Sequence, residues 1–295
     1  MQLPTKALRY IDLLRRRGLL RASILSAVED VARFGVQIPI RRAFDVVGVE
    51  NFMRIRFPGT RGPFRVRSSP FWKYWKTLGD GSHDGESLRF LSSFVRPGQT
   101  VLDVGAWEGP YTLLLADRVG GAGRVVAFEP DSRALALLRA NVEANGLTNV
   151  LGEAWCLSDT EGTAPFFDSR GGTIGSLMRN ELVADLPLVE VKTTTIDRYC
   201  RDHALSVDGM KIDVEGAEAR VVAGGREVIA RYAPWLFLEF HGVLMSDAEK
   251  RSSWDTITRG AQEMTFVWGK SQRYRSGDRL ESYPDCDYFH VLIQY

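Results

Sequence analysis

A short apolar segment that runs into a glycine turn constrains the fold of this chain more than any other feature. Residues 101–109 read VLDVGAWEG, and a helix is predicted to open just after them, near Tyr111. A strand, a glycine turn and a helix in this order are typical of doubly wound α/β folds, which bind ligands at the carboxyl ends of their strands. Gly105 permits the sharp turn, and Gly109 permits a ligand to approach the backbone. We therefore predict a ligand site around Gly105, Ala106 and Gly109.

Strand and helix patterns alternate over the rest of the chain. This alternation predicts a Rossmann-like α/β fold, with a mostly parallel sheet and helices on both faces. A helix is predicted before the first strand, at about 87–95, and a mobile loop near the ligand pocket is predicted at 169–186. The predicted strands are residues 100–104, 124–128, 150–156, 189–194, 209–212, 235–240 and 288–294.

The N-terminal part differs from the rest in charge and in pattern. Residues 1–76 hold 16 basic and 5 acidic residues, whereas the whole chain of 295 residues has a net charge of only +1. Two basic amphipathic helices are predicted at 5–17 and 23–34, and a β-hairpin is predicted within 52–67. The helices could contact an anionic membrane surface or pack on the main domain, and the sequence leaves both open.

We predict a domain boundary after residue 84, so that 1–84 form a basic extension and 85–295 form the main domain. An aromatic cluster at 71–75 is expected to cover a domain edge or to frame a ligand groove.

The three cysteines lie far apart and give no metal or disulfide pattern. The sequence contains no signal-peptide pattern, no apolar run of about 20 residues and no nucleic-acid motif. These features predict a cytoplasmic protein, either free or peripheral to the membrane.

The residues around the glycine turn also narrow the class of cofactor. A dinucleotide fingerprint requires glycine at the position of Trp107, and the carboxylates of Glu108 and Asp103 disfavour a pyrophosphate. These acids suit a cationic ligand without phosphate, such as S-adenosylmethionine. The second strand ends at Glu129, whose carboxylate could accept hydrogen bonds from both ribose hydroxyls. Asp131 or Ser132 is placed to cap the next helix.

Several longer segments resemble one known family, the FkbM-type S-adenosylmethionine-dependent methyltransferases. The resemblance covers about residues 85–295 and departs from the family pattern at Trp107, Glu108 and Pro110. The most specific match is the KIDVEGAE sequence at 211–218. The other matching segments are residues 101–112, 126–131, 157–159 with Gly162, 194–197 and 234–241.

The resemblance implies a class I methyltransferase fold with seven strands, of which the last is antiparallel. It also implies transfer of a methyl group from S-adenosylmethionine to a hydroxyl of a saccharide, a glycolipid or a secondary metabolite. In such a fold, Ser158 and Asp159 are expected to contact the adenine. The family does not specify the acceptor.

Charged residues at two strand ends are the candidate catalytic groups. Lys211, Asp213 and Glu215 share one side of an extended strand end, and Glu239 and His241 have the same spacing on the next strand. Asp213 is the first candidate for binding the acceptor hydroxyl or accepting its proton, and His241 is a candidate neutral base near pH 7. Lys211 could instead form a structural ion pair with Asp213 or Glu239.

Some alternatives stay open. Asp213, Glu239 and His241 could hold Mg²⁺ or Mn²⁺, although we do not favour a metal from the sequence. A nicotinamide-dependent oxidoreductase, a non-catalytic cofactor-binding module and an N-methyltransferase acting on an amine are alternative functions. The oligomeric state is undetermined, and a dimer is one alternative. The expected cofactor contacts are Asp103, Gly105, Ala106, Gly109, Glu129, Asp131, Ser158, Asp159 and Glu215.

Overall fold

The computed structural model describes residues 52–67, 69, 71–169, 175–178 and 184–295. The helices predicted at 5–17 and 23–34 lie outside the described residues, as does much of the loop predicted at 169–186, so these stay predictions. The chain divides into two compact units, Met1–Phe52 with Arg67–Lys73 and Met53–Val66 with Tyr74–Tyr295. The second unit contains the main sheet and the cavities. The domain boundary after residue 84 stays a prediction.

The described residues form the following elements. The strands are β1 (Phe52–Ile55), β2 (Phe64–Arg67), β3 (Thr100–Val104), β4 (Arg124–Phe128), β5 (Val150–Glu153), β6 (Cys156–Leu157), β7 (Gly162–Phe167), β8 (Leu188–Thr194), β9 (Gly209–Ile212), β10 (Trp235–Phe240), β11 (Glu263–Gly269) and β12 (Phe289–Gln294). The helices are α1 (Trp72–Asp80), α2 (Gly85–Phe94), α3 (Pro110–Val119), α4 (Ser132–Ala144), α5 (Ile196–Asp202), α6 (Glu218–Ala223), α7 (Arg226–Tyr232) and α8 (Asp247–Thr258), with a 3₁₀ turn at Gly242–Leu244.

Seven strands form the main sheet in the order β11-β12-β10-β9-β3-β4-β5. Neighbouring strands from β10 to β5 are parallel, and β12 is antiparallel to both β10 and β11. The predicted seven-stranded, mostly parallel sheet with an antiparallel last strand is therefore confirmed. The bounds of β3, β4, β9 and β10 are the predicted ones.

Three predicted strand assignments need correction. The strand at 189–194 becomes β8, which pairs with β6 and β7 in a separate three-stranded sheet. Leu188 and Val189 of β8 are exposed, whereas strands of a sheet covered on both faces are buried along their length. The seventh strand of the main sheet is instead β11, an edge strand that the sequence did not predict. The segment predicted at 150–156 splits between β5 in the main sheet and β6 in the small one.

Helices cover both faces of the main sheet, and successive residues of a strand reach opposite hydrophobic clusters, as strand geometry requires. On β3, Val101 belongs to one cluster with Trp75, Leu88 and Leu114 of α1, α2 and α3. The next residue, Leu102, belongs to the other cluster with Tyr199, Val221 and Trp254 of α5, α6 and α8. The predicted three-layer α/β arrangement is thus confirmed.

The predicted pairing within 52–67 is also confirmed, because β1 and β2 form a two-stranded sheet. Phe57 and Phe64 flank the turn between them and stack with ring centroids 5.6 Å apart. Phe57 also stacks on Trp75 of α1 at 5.8 Å. Trp75 is fully buried, so this member of the predicted aromatic cluster is a core residue. No helix among the described residues has the length and apolar character needed to cross a membrane.

Candidate active site

Four neighbouring parallel strands end along one edge of the main sheet and bring candidate residues together. Glu129 follows β4, Gly105 follows β3, Asp213 follows β9 and His241 follows β10. The strand ends are joined by backbone hydrogen bonds; the N–H of Asp213, for example, donates to the carbonyl of Val104 at 3.0 Å. Residues that lie far apart in the sequence therefore meet at one edge, as in other open α/β sheets.

A cavity of about 300 Å³ lies at this edge. Gly105 and Ala106 of the glycine turn form part of its wall, together with the aromatic side chains of Tyr74, Trp155 and Tyr288. Such a wall favours a positively charged ligand over a pyrophosphate, because carboxylates predominate among its ionisable groups. The described ionisable groups that line it are Asp84, Glu129, Asp131, Asp213, Glu215, Glu239, Lys211, His83, Tyr74, Tyr111, Tyr288 and Cys156.

Aromatic residues of α1 support the turn at the positions where it departs from the family pattern. Trp107 adopts a left-handed backbone conformation, with φ of 47°, and its ring meets Tyr74 edge-on at 5.0 Å. The indole N–H of Trp75 donates to Oε2 of the buried Glu108 at 2.8 Å. Trp107 and Glu108 therefore pack on residues from the aromatic cluster. The two residues that depart from the family pattern thus have a ring contact and a hydrogen bond within the same unit.

Glu129 is held in place by two backbone donors. Its Oε2 accepts from the N–H of Trp107 at 2.8 Å, and its Oε1 accepts from the N–H of Asp131 at 2.8 Å. A carboxylate has about four acceptor positions, so capacity for ribose hydroxyls is left on both oxygens. Burial raises the pKa of Glu129 to about 7. Asp131 caps α4 by accepting from the N–H groups of Arg133 and Ala134, and it also lines the cavity.

Lys211 forms the buried ion pair that the sequence left open. Its Nζ lies 3.1 Å from Oδ2 of Asp213 and 3.7 Å from Oδ1 of Asp103. It also donates to the carbonyl of Gly105 at 3.3 Å, which ties the turn to β9. Burial and the neighbouring Glu239 raise the pKa of Asp213 to about 6, and Lys211 limits this rise. Lys211 thus orients Asp213 at the cavity wall.

Glu239 is fixed by partners that the sequence analysis did not identify. The hydroxyl of Tyr288 donates to its Oε1, and Nε2 of His290 lies 3.0 Å from its Oε2. The other ring nitrogen of His290 contacts the hydroxyl of Ser87. Although burial disfavours the charge, His290 and His241 hold the pKa of Glu239 well below its usual range. His290 had no assigned role because its partners lie on β10 and α2, and no local pattern signals them.

His241 is buried among carboxylates from three segments of the chain. Its Nδ1 lies 2.8 Å from Oε1 of Glu218. Its Nε2 lies 3.8 Å from Oδ1 of Asp213 and 3.6 Å from carboxylate oxygens of both Glu215 and Glu239. Although burial disfavours its charge, Glu218, Glu239 and Glu215 raise the pKa of His241 well above its usual value. This arrangement favours the charged imidazolium, and the role of His241 as a neutral base near pH 7 stays a prediction.

Four predicted cofactor contacts are not among the described residues of the cavity wall. Asp103 is fully buried, and its Oδ2 accepts from the Thr112 hydroxyl at 2.5 Å. At Gly109 a Cβ would meet the Leu138 side chain at 3.2 Å, so this glycine serves helix packing.

Ser158 and Asp159 do not line the described wall either, so their contact with the adenine stays a prediction. The hydroxyl of Ser158 donates to Asp159 at 3.0 Å, and Asp159 pairs with Arg220 at 3.2 Å. Trp155 and Leu157, from the same segment, line the cavity instead.

Sequence analysis missed Asp84, and it included Tyr74 only as a member of the aromatic cluster at 71–75. Both line the cavity, and Asp84 lies at the start of α2 with φ of 51°. The hydroxyl of Tyr74 is 3.5 Å from a carboxylate oxygen of Asp84. Burial raises the pKa of Asp84, and His290 partly opposes this rise. No motif marks either residue, because their position depends on how α1 and α2 pack on the sheet.

A second cavity, of about 1040 Å³, adjoins the first one. Glu215 and Tyr288 line both cavities, and His241 lines the second. Two aromatic side chains, Tyr283 and Tyr288, and several charged groups lie in its wall. The described charged residues other than Glu215 and His241 are Asp247, Lys250, Arg251, Lys270, Arg273, Asp285 and Asp287. Two molecules, one in each cavity, would therefore meet beside Glu215 and Tyr288, which line both cavities.

Comparison with known proteins identifies a family-model match and several relatives. The model of the methyltransferase FkbM domain matches residues 103–267. The 2-O-methyltransferase NoeI of Sinorhizobium fredii is 27% identical over 158 residues, which are 48% of this chain and 64% of NoeI. A ribosomal protein L11 methyltransferase of Pelotomaculum thermopropionicum is 44% identical over 72 residues, which are 24% of this chain and 23% of that protein. The chain thus matches less than two thirds of the length of either relative.

Methyltransferase FkbM from Methylobacillus flagellatus is one of the solved structures that align with this chain. It aligns with a TM-score of 0.46 and 17% sequence identity, over 77% of this chain and 56% of that one.

Proposed function

Since the chain belongs to the FkbM methyltransferase domain family, we propose that it is an S-adenosylmethionine-dependent O-methyltransferase. Its acceptor is a hydroxyl of a saccharide, a glycolipid or a secondary metabolite. The observation that carries the proposal is the acid-lined cavity beside Gly105, which shares Glu215 and Tyr288 with a larger second cavity. Two adjoining cavities suit a reaction in which a cofactor and an acceptor must meet.

The residues of the smaller cavity fit S-adenosylmethionine. Glu129 has acceptor capacity left for the two ribose hydroxyls, and the turn at Gly105 and Ala106 exposes backbone to the ligand. Trp155 and Leu157 offer an apolar surface for the adenine. The carboxylate of Asp84 offsets the positive charge of the ammonium group, and that of Asp213 offsets the charge of the sulfonium. The same carboxylates would repel a cofactor that carries phosphates.

The larger cavity is the proposed acceptor site. Tyr283 and Tyr288 can pack against the apolar face of a sugar ring, while the charged groups around them bind its hydroxyls. The relative NoeI is named a 2-O-methyltransferase, which supports a hydroxyl acceptor.

Asp213 lines the smaller cavity, and its Oδ1 lies 3.8 Å from Nε2 of His241, which lines the larger one, so Asp213 is close to where cofactor and acceptor would meet. When bound, the cofactor would supply an electrophilic methyl group, whose carbon–sulfur bond would be replaced by a carbon–oxygen bond to the acceptor. Asp213 binds the hydroxyl and takes its proton, and Lys211 keeps the Asp213 carboxylate in position at 3.1 Å.

Methyl transfer itself is the direct test. The purified chain is incubated with methyl-labelled S-adenosylmethionine and a panel of methyl glycosides, glycolipids, phenols and amines. We expect label, and a mass increase of one methylene, on a hydroxyl of one acceptor class. Label only on amines would instead identify an N-methyltransferase. Cofactor binding without transfer to any acceptor would favour a binding module, and binding of NADH alone would favour an oxidoreductase.

Replacing Glu129 tests the cofactor site without an acceptor. Glu129→Ala should weaken S-adenosylhomocysteine binding by about 100-fold, because it removes the charged acceptor for two hydroxyls. Calorimetric titration measures the change. Glu161→Ala is the matched control, since Glu161 is exposed and lines neither cavity. Loss of affinity in both variants, or in neither, would contradict the ribose assignment.

The pH dependence of S-adenosylhomocysteine binding is a second test of the contact between Glu129 and the ribose. Because the pKa of Glu129 is raised to about 7, the free protein carries a proton on this carboxyl below that pH. Binding that requires the ionised form should weaken by about tenfold from pH 8 to pH 6. In Glu129→Gln the group no longer titrates, so this component of the pH dependence should disappear.

A further inference from the structure

The Nε2 atom of His241 faces three carboxylates and makes no hydrogen bond to any described residue. The side chain is only 5% exposed, and the nearest carboxylate oxygens, on Asp213, Glu215 and Glu239, are 3.6–3.8 Å away. These distances exceed a hydrogen bond. The ring cannot turn freely toward another partner, because its Nδ1 lies 2.8 Å from Glu218, whose side chain is fully buried.

The spacing of these atoms fits a cation between them. One ligand atom each from Asp213, Glu239 and His241 lies within 4.8 Å of the others. Ligand atoms that share an ion at about 2.0–2.4 Å are separated by about 3–4 Å, depending on the angle between the bonds. The observed distances of 3.6–3.8 Å from Nε2 lie in this range.

Glu218 supplies an independent observation that points to a metal. A cation would displace the second proton of the charged ring, and the carboxylate beside Nδ1 would then keep the remaining hydrogen on Nδ1, so that Nε2 offers its lone pair to the cluster. Histidines that bind metals usually donate their other ring N–H to a carboxylate, which orients the ring. Glu218 is itself held by the backbone N–H of Gly216, which donates to its Oε1 at 2.9 Å. A purely acidic cluster would lack this feature.

We propose that Asp213, Glu239 and His241 bind one divalent cation, with Glu215 beside the site and Glu218 as the positioning residue for His241. The mixture of carboxylate and imidazole ligands suits Mn²⁺ better than Mg²⁺, which prefers oxygen alone. His241 lines the second cavity while Asp213 and Glu239 line the first, so the cation lies where the two meet.

The role of the cation rests on the proposed function, whereas its binding does not. A divalent cation beside the acceptor cavity can bind the acceptor hydroxyl and lower its pKa. The hydroxyl then loses its proton to a nearby carboxylate more readily. His241 would act as a ligand in this arrangement, and not as the base that the sequence predicted.

Binding of Mn²⁺ tests the site in the absence of an acceptor. The full chain, with and without S-adenosylhomocysteine, is titrated with Mn²⁺, and the signal of free Mn²⁺ is followed by electron paramagnetic resonance. We expect one bound ion per chain and a loss of affinity of at least 100-fold in His241→Ala. Glu218→Gln should weaken binding by about 10- to 100-fold, as expected for a residue that acts through the ligand.

Two further variants keep the result interpretable. Asp213→Asn provides a second ligand change in case His241→Ala does not fold, which circular dichroism detects. Asp255→Asn removes an exposed carboxylate of α8 that lines neither cavity, and it should leave Mn²⁺ affinity within about twofold. Absence of Mn²⁺ binding to the wild type up to millimolar concentration would overturn the proposal, as would unchanged affinity in folded His241→Ala and Asp213→Asn.

The proposed metal site and the proposed methyl transfer can be contradicted separately. If the chain binds Mn²⁺ at these residues but methylates no acceptor, the site stands and the proposed function fails. If methyl transfer persists unchanged after removal of metals with EDTA and Mn²⁺ does not bind, the function stands and the metal site fails. We expect EDTA to lower transfer at least tenfold and Mn²⁺ to restore it.

Discussion

Gly105→Ala should abolish measurable cofactor binding and lower the free energy of unfolding by about 3 kcal/mol or more. Gly105 has φ of 77°, which disfavours any residue with a Cβ, and a Cβ at this position would lie 1.8 Å from the backbone oxygen of Asp213. The N–H of Asp213 is bonded to Val104, so a shift of this residue away from the added Cβ strains the hydrogen bond that joins β9 to β3. Relief of the clash must therefore separate the ends of β3 and β9, where the cofactor cavity lies. Urea denaturation and titration with S-adenosylhomocysteine measure the two effects.

Gly98→Ala is the matched control for this change. Gly98 has φ of 85°, so alanine there carries a similar conformational cost, but no atom lies within 4 Å of its added Cβ. It should cost about 1–2 kcal/mol and leave cofactor affinity unchanged. If both variants lose the same stability and Gly105→Ala still binds the cofactor, then close contact between the turn and Asp213 is not what shapes the cavity.

Asp213→Asn should lower the turnover number by about 100- to 10,000-fold while changing the dissociation constant of S-adenosylhomocysteine by less than about threefold. Asparagine has nearly the same shape, but it neither takes a proton at neutral pH nor provides the charge that Lys211 and an incoming hydroxyl or cation require. The loss should therefore appear in the chemical step. Initial rates with the acceptor found in the labelling screen measure it.

The controls for Asp213→Asn separate chemistry from folding. Asp255→Asn removes a carboxylate from the same unit, outside both cavities, and should keep full turnover. The Tm of Asp213→Asn should stay close to that of the wild type, because Lys211 still faces Asp103 at 3.7 Å. Equal losses in turnover and in cofactor affinity would indicate that Asp213 shapes the site and does not take part in the reaction.

Much of the site could be predicted from strand ends. The apolar segments that became β3, β4, β9 and β10 have clear limits, and in a parallel sheet the residues after them must meet at one edge. This reasoning placed Gly105, Glu129, Asp213 and Glu239 correctly on the cavity wall. Asp103, Ser158 and Asp159 do not line this wall, since proximity to a strand end does not decide what a side chain hydrogen-bonds to. Asp103 meets Thr112 one turn into α3, and Asp159 meets Arg220 of α6.

The amino-acid sequence alone determined the α/β class, the glycine turn and the strand ends, because these follow from local periodicity and from the conformational freedom of glycine. Tertiary structure alone decided which groups surround His241 and Glu239. Glu218, Tyr288 and His290 reach them from other segments and set their charge and orientation. Such contacts depend on how the helices and the antiparallel strand β12 pack on the sheet. Burial then makes them strong, since the low dielectric of the interior enhances each charge and hydrogen bond.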